Sequence, residues 1–127
     1  MLKVVIVDAS AIARDLLGTV LTGCGHEVAG MSHSSSQGYA LLRKFQANMI
    51  FIALDQMDDG FGLVEKIRAE LPKTLVFLVS GEIDGPTLQA AQARGVQGFI
   101  VKPFKADAVL KTIRNTVLAV IKSQRQA

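Results

Sequence analysis

The sequence predicts a doubly wound α/β domain, and three observations predict it. Residues 3–7, apolar throughout after Lys3, and the unbroken apolar run 49–53 are of strand length and rich in valine and isoleucine, as strands buried on both faces of a parallel sheet require. Runs of the same kind recur at 74–79 and 98–101, with a weaker one at 27–31. Between the runs lie stretches with apolar residues at helical spacing, so that strand and helix alternate five times. Such alternation implies a parallel sheet with helices on both faces.

Taken in order, the first strand stops at Asp8, and Ser10 is placed to cap the helix that follows. The apolar stripe of that helix is Ile12, Leu16, Leu17, Val20 and Leu21, and Gly23 to Gly25 end it. After the weak strand, Ser34 to Ser36 offer caps for a second helix, with Tyr39, Leu41, Leu42 and Phe45 on its apolar side. Asn48 precedes the central strand, which ends at Ala53-Leu54 and meets acid at Asp55. Asp58-Asp59-Gly60 forms a solvated turn by composition. Leu63, Val64, Ile67 and Leu71 mark a third helix, closed by Pro72.

The strand at 74–79 runs into Ser80-Gly81. Asp84-Gly85-Pro86 then opens a fourth helix, since proline suits a first turn where its missing N–H costs nothing, and Gly95 ends it. The strand at 98–101 leads into Lys102-Pro103-Phe104. A last helix is expected over 106–123, with a polar tail at 124–127.

A chain of 127 residues is expected to be one domain, and half its residues are apolar, enough for a core. No apolar run approaches the ~18–20 residues that span a bilayer. The start of the chain lacks the marks of a secretory signal, so a cytoplasmic protein away from membranes is expected. Cys24, the single cysteine, fits a reducing compartment. The net charge of +3 is spread along the chain, which argues against direct nucleic-acid binding. His26 and His33 have no partners at metal-ligand spacing and are expected to be exposed loop residues. No nucleophile–base pair, phosphate-cradling glycine loop or paired-carboxylate signature stands out, so no enzymatic activity is expected.

In doubly wound folds ligands bind outside the carboxyl ends of the strands, near the point where strand order reverses. The residues there are Asp8-Ala9, Ala53-Leu54-Asp55, Ser80-Gly81 and Lys102-Pro103. With Val5-Ile6-Val7-Asp8-Ala9-Ser10, with Gly95 and Gly98, and above all with Gly98-Phe99-Ile100-Val101 running into Lys102-Pro103-Phe104, the whole chain resembles the receiver domain of bacterial two-component response regulators. The resemblance implies a flavodoxin-like (βα)5 fold with strand order 2-1-3-4-5 and a cis Lys102-Pro103 peptide bond. It also implies an aspartate that accepts a phosphoryl group at the end of the third strand, and two acids after the first strand that help hold Mg²⁺. A lysine and a hydroxyl bind the phosphoryl oxygens, and an aromatic changes rotamer in the output switch.

Asp8 matches the first acid, Ser80 the hydroxyl, Lys102 the lysine and Phe99 the switch aromatic. Two positions depart: Ala9 stands where the second acid belongs, and Ala53 where the phospho-acceptor belongs. A methyl group neither accepts a phosphoryl group nor ligates Mg²⁺. The expectation is therefore an atypical receiver with no cofactor, acting as a protein–protein interaction module. Lys102 would then pair with Asp8 or reach solvent. The docking face implied by the resemblance is the fourth helix, fifth strand and fifth helix, residues 86–94, 98–101 and 106–120. Its candidate partners are a histidine kinase, an output domain or a second copy of the chain. The alternative is a working receiver whose displaced acceptor is Asp55. Two residues beyond Ala53 preserves the face of an extended strand, and Mg²⁺ would sit between Asp8 and Asp55. A third reading puts a small ligand in a pocket opened by Ala9 and Ala53.

Overall fold

The computed structural model describes residues 2–54, 61–82, 84–102 and 105–126, with side chains as far as Lys122. Asp55, the Asp58-Asp59-Gly60 turn and the Lys102-Pro103 peptide bond lie outside the described residues.

The chain runs β1 (Lys3–Val7), α1 (Ala11–Gly23), β2 (Glu27–Ser32), α2 (Ser35–Phe45), β3 (Met49–Ala53), α3 (Gly62–Glu70), β4 (Leu75–Ser80), α4 (Gly85–Arg94), β5 (Gly98–Val101) and α5 (Ala106–Gln126). All neighbouring strands are parallel, and the sheet order is β2-β1-β3-β4-β5, as the resemblance implies. The chain leaves β1 for β2 on one side and returns to β3 on the other. The carboxyl ends of β1 and β3 therefore flank the topological switch point.

Successive strand residues point to opposite faces and build two cores. Val5, Val7, Ile50, Ile52, Val76 and Leu78 pack against Leu42 of α2, Val64 and Ile67 of α3 and Ala91 of α4. Val4, Ile6, Met49, Phe51, Phe77 and Val79 pack against Leu17 and Leu21 of α1 and Val109 and Ile113 of α5. Gly98 admits this second core: a Cβ there would lie 2.5 Å from the Phe77 ring and 2.8 Å from Thr116 Oγ1. The expected serine caps are present, and Asp84 adds a third. Ser10 Oγ accepts from the Ala13 N–H at 3.2 Å, Ser34 Oγ from the Gln37 N–H at 3.4 Å and Asp84 Oδ1 from the Thr87 N–H at 2.7 Å. The bond from Thr87 holds the Asp84 carboxyl below its ordinary pKa.

Four sequence expectations need correction. Ile12 and Leu16 are not core residues: they are 74% and 56% exposed, and the sheet takes Leu17 and Leu21 instead. On α5, Leu110 and Ile121 are likewise exposed rather than packed. That helix continues through Gln126, so residues 124–126 are helical rather than a tail. The glutamines and arginine there favour helix, and no glycine or proline stops it. Lastly, His26 is half-buried, with Nδ1 accepting the Leu2 N–H at 3.4 Å where β1 and β2 begin.

Burial lowers the His26 pKa below its ordinary 6.5. The folded state thus favours the neutral imidazole, and below pH 6.5 the unfolded chain binds more protons than the folded one. Stability contributed by His26 is present above that pH and is lost as pH falls through the folded value. Urea titrations on either side of pH 6.5 are expected to show this loss, and His26→Gln to flatten it. No helix among the described residues is long and apolar enough to cross a membrane.

Candidate functional site

The sheet register brings four of the expected positions to one rim. Val7 pairs with Ile52, Ala53 with Val79, and Ser80 with Val101, immediately before Lys102. The Lys102 N–H donates to the Ser80 carbonyl at 2.9 Å, which ties the ends of β4 and β5 together. Asp8 follows β1 directly, and Ala9 follows it on the exposed side.

Asp8 is the centre of this rim and is only 5% exposed. Its Oδ1 accepts the Ser10 N–H at 2.8 Å, and its Oδ2 accepts from Lys102 Nζ at 3.3 Å. The Asp8 N–H donates to the Ser32 carbonyl at 3.0 Å, and the Asp8 carbonyl accepts from Arg14 Nη1. The pairing of Lys102 with Asp8 is therefore realised, with the lysine side chain 34% exposed and the carboxylate 6%. Arg14 is a site residue that sequence reasoning missed. Its signal was only its place in the first turns of α1, six residues after Asp8, and its contact is to a backbone carbonyl that carries no motif.

Ser80 is engaged by its own loop: its Oγ donates to the Glu82 carbonyl at 2.7 Å and accepts the Glu82 N–H at 3.3 Å. Phe99 is half-buried and packs against the core shared with α2, α3 and α4. Ala53 is 2% exposed at the end of the central strand. A cavity of about 360 Å³ opens beside these groups, lined by Asp8, Ser10, Leu54, Val79, Ser80, Gly81 and Lys102. Its walls do not include Ala9 or Ala53, so the pocket expected from the two missing acids is formed by other side chains.

Magnesium demands near-octahedral oxygen ligation. The described rim offers one carboxylate, both of whose oxygens already accept from nitrogen donors, beside the methyl groups of Ala9 and Ala53. Among the described residues no group of three or more metal-ligating side chains exists. The described residues of the rim do not by themselves fit the ion.

The family model for the response regulator receiver domain matches residues 4–114. Chemotaxis protein CheY of Bacillus subtilis is 26% identical over 117 residues, spanning 91% of this chain and 97% of its own. A stretch of the protein-glutamate methylesterase/protein-glutamine glutaminase of Treponema pallidum is 25% identical over 92% of this chain, but it is only 30% of that protein. Among solved structures, the chemotaxis protein CheY4 of Vibrio cholerae matches with a TM-score of 0.82 at 26% identity, covering 91% of this chain and 98% of that one.

Proposed function

The chain belongs to the response regulator receiver domain family of two-component signalling, and from that premise we propose that it is an atypical member: a cytoplasmic, non-enzymatic module that works by binding another protein without being phosphorylated. The observation that carries this reading is the pair of alanines. Ala53 ends the central strand where the family's phospho-acceptor stands, and Ala9 replaces a metal ligand. A phosphoryl acceptor must be a nucleophile, and a methyl group is none. The Asp8–Lys102 pair supports the same reading, because it gives the lysine an anionic partner within the chain itself. Removing Lys102 would leave the largely buried Asp8 carboxylate without its cation, which favours keeping the two together. No cofactor is needed. Phe99 keeps the aromatic position, so a partner that favours one of its rotamers would shift the population between two states.

The partner face is α4, β5 and α5. Val101 is 57% exposed there, beside the small exposed residues Ala90 and Ala93 of α4, which permit close approach. A histidine kinase or an output domain is the class of partner such a face would take. Self-pairing through this face has less support, because α4 exposes only small and polar side chains.

The chain is expected to keep its mass when incubated with acetyl phosphate and Mg²⁺ and read by intact mass spectrometry. A hydroxylamine-sensitive phosphoryl adduct that disappears in Asp55→Asn would instead establish the displaced acceptor and its Mg²⁺ chemistry.

A further inference from the structure

A cavity of about 490 Å³ opens at the amino edge of the sheet, on the side opposite the Asp8 rim. It lies between the last turns of α2 and α3, beside Asn48 and Thr74, which lead into β3 and β4. Its volume falls within the ~300–1,000 Å³ of small-molecule pockets. The two helices that wall it are tied together. The Tyr39 O–H of α2 donates to Glu70 Oε1 of α3 at 2.8 Å. Arg43 Nη1 donates to the Tyr39 oxygen at 3.1 Å and lies 3.5 Å from the same carboxylate. Lys66 of α3 sits over the Tyr39 ring, its Nζ 4.3 Å from the centroid. The walls are thus set before any ligand arrives, which lowers the cost of binding.

Leu42, Ala47, Leu71 and Pro72 give the cavity apolar surface. Its charged groups divide by whether their charge is already met. Glu70 is met by Arg43 and by the Tyr39 hydroxyl. The partial negative charges at the ends of α2 and α3 are met by Lys44 and Arg68 in their last turns, and Arg68 Nη1 also donates to the Thr74 carbonyl at 2.9 Å. Lys73 is different: it is exposed, and among the described residues it pairs with no acid. Asn48 is held by its Oδ1, which accepts the Lys3 N–H at 2.8 Å and leaves the amide NH2 as a donor. An unmet cation and a fixed donor call for an anion, and the apolar surface calls for a carbon body rather than a bare inorganic ion. We propose that this cavity binds a small organic carboxylate, its anion received by Lys73 and the Asn48 amide and its apolar body lying against Leu42 and Leu71. The site is remote from the Asp8 rim and does not depend on the two alanines there.

Amide NMR titration of the full chain with benzoate and with hexanoate tests this. The readout needs neither Mg²⁺ nor a phosphoryl donor, so its outcome is independent of the phosphorylation test. At least one of the two is expected to give saturable shifts at Gln46, Asn48, Lys73 and Thr74 in the millimolar range, as ligands of so few atoms do. Lys73→Gln should weaken this binding by about tenfold or more, the loss expected of a charged hydrogen bond, while Lys122→Gln leaves it unchanged. Benzamide, which keeps the ring and lacks the charge, and inorganic phosphate, which keeps a charge and lacks the carbon body, should both bind more weakly than the better carboxylate. The proposal is overturned by the absence of saturable shifts at these four amides with either carboxylate, by benzamide or phosphate binding there as tightly, or by binding indifferent to Lys73→Gln.

Discussion

Phe51→Ala is expected to lower the stability of the domain by about 3–5 kcal/mol, the range for deleting a fully buried aromatic ring. Phe51 is 0% exposed at the middle of β3, and its ring stacks on Phe77 of β4 with centroids 4.6 Å apart and planes 10° apart. Gly98 fixes the other side of Phe77, where even a methyl group would clash, so the pair cannot slide to fill a vacated volume cheaply. With total stabilities of single domains at roughly 5–15 kcal/mol, the variant sits near the edge of folding. Urea denaturation with an unchanged m value and a lower midpoint would agree. A loss below about 1 kcal/mol would mean that the two rings do not carry the core shared by α1 and α5.

The second large effect is a gain. Ala9→Asp combined with Ala53→Asp is expected to create a Mg²⁺ site that the parent chain lacks. Two new carboxylates would join Asp8 on the same rim, and three like charges at close quarters repel. The double variant should therefore be less stable than the parent without metal, and should recover as pH falls and the carboxylates protonate. Mg²⁺ at about a hundred times its dissociation constant should stabilise it by ~2.7 kcal/mol. Thermal melts with and without Mg²⁺ read this directly. The parent is expected to show no such rise, and an equal rise in the parent would contradict the reading of Ala9 and Ala53.

Much of the fold was legible because parallel strands buried on both faces leave nearly unbroken apolar runs, and residues 3–7 and 49–53 are both strands with those bounds. Ser10 and Ser34 were legible as caps because a hydroxyl just before an apolar-periodic stretch can accept from the first helical N–H groups, whereas the start at Asp84 was read from Pro86 and its capping carboxylate was not. The exposure of Ile12 and Leu16 was not legible. Periodicity reveals an apolar sector, but with Ile12, Leu16, Leu17, Val20 and Leu21 all apolar it does not say which part meets the sheet. That is decided by where α5 and β2 lie. The same holds for His26, whose burial depends on the Leu2 N–H 24 residues away. At the rim, the residue types at Asp8, Ala53, Ser80 and Lys102 were readable. The pairing of Asp8 with Lys102 spans 94 residues and exists only because β1, β3, β4 and β5 end at one edge. The turn that occupies the Ser80 hydroxyl is a local geometry that no spacing announces.

A rim without a phospho-acceptor does not respond to a phosphoryl mimic. The measurement that tests it most directly is an amide NMR titration of the full chain, first with Mg²⁺ and then with beryllofluoride, which imitates an aspartyl phosphate. The amides of Asp8, Ala53, Ser80 and Lys102 are predicted to stay where they are through both additions. Shifts at these amides that vanish in Asp55→Asn would contradict the account and make the chain a phosphorylatable receiver with a displaced acceptor.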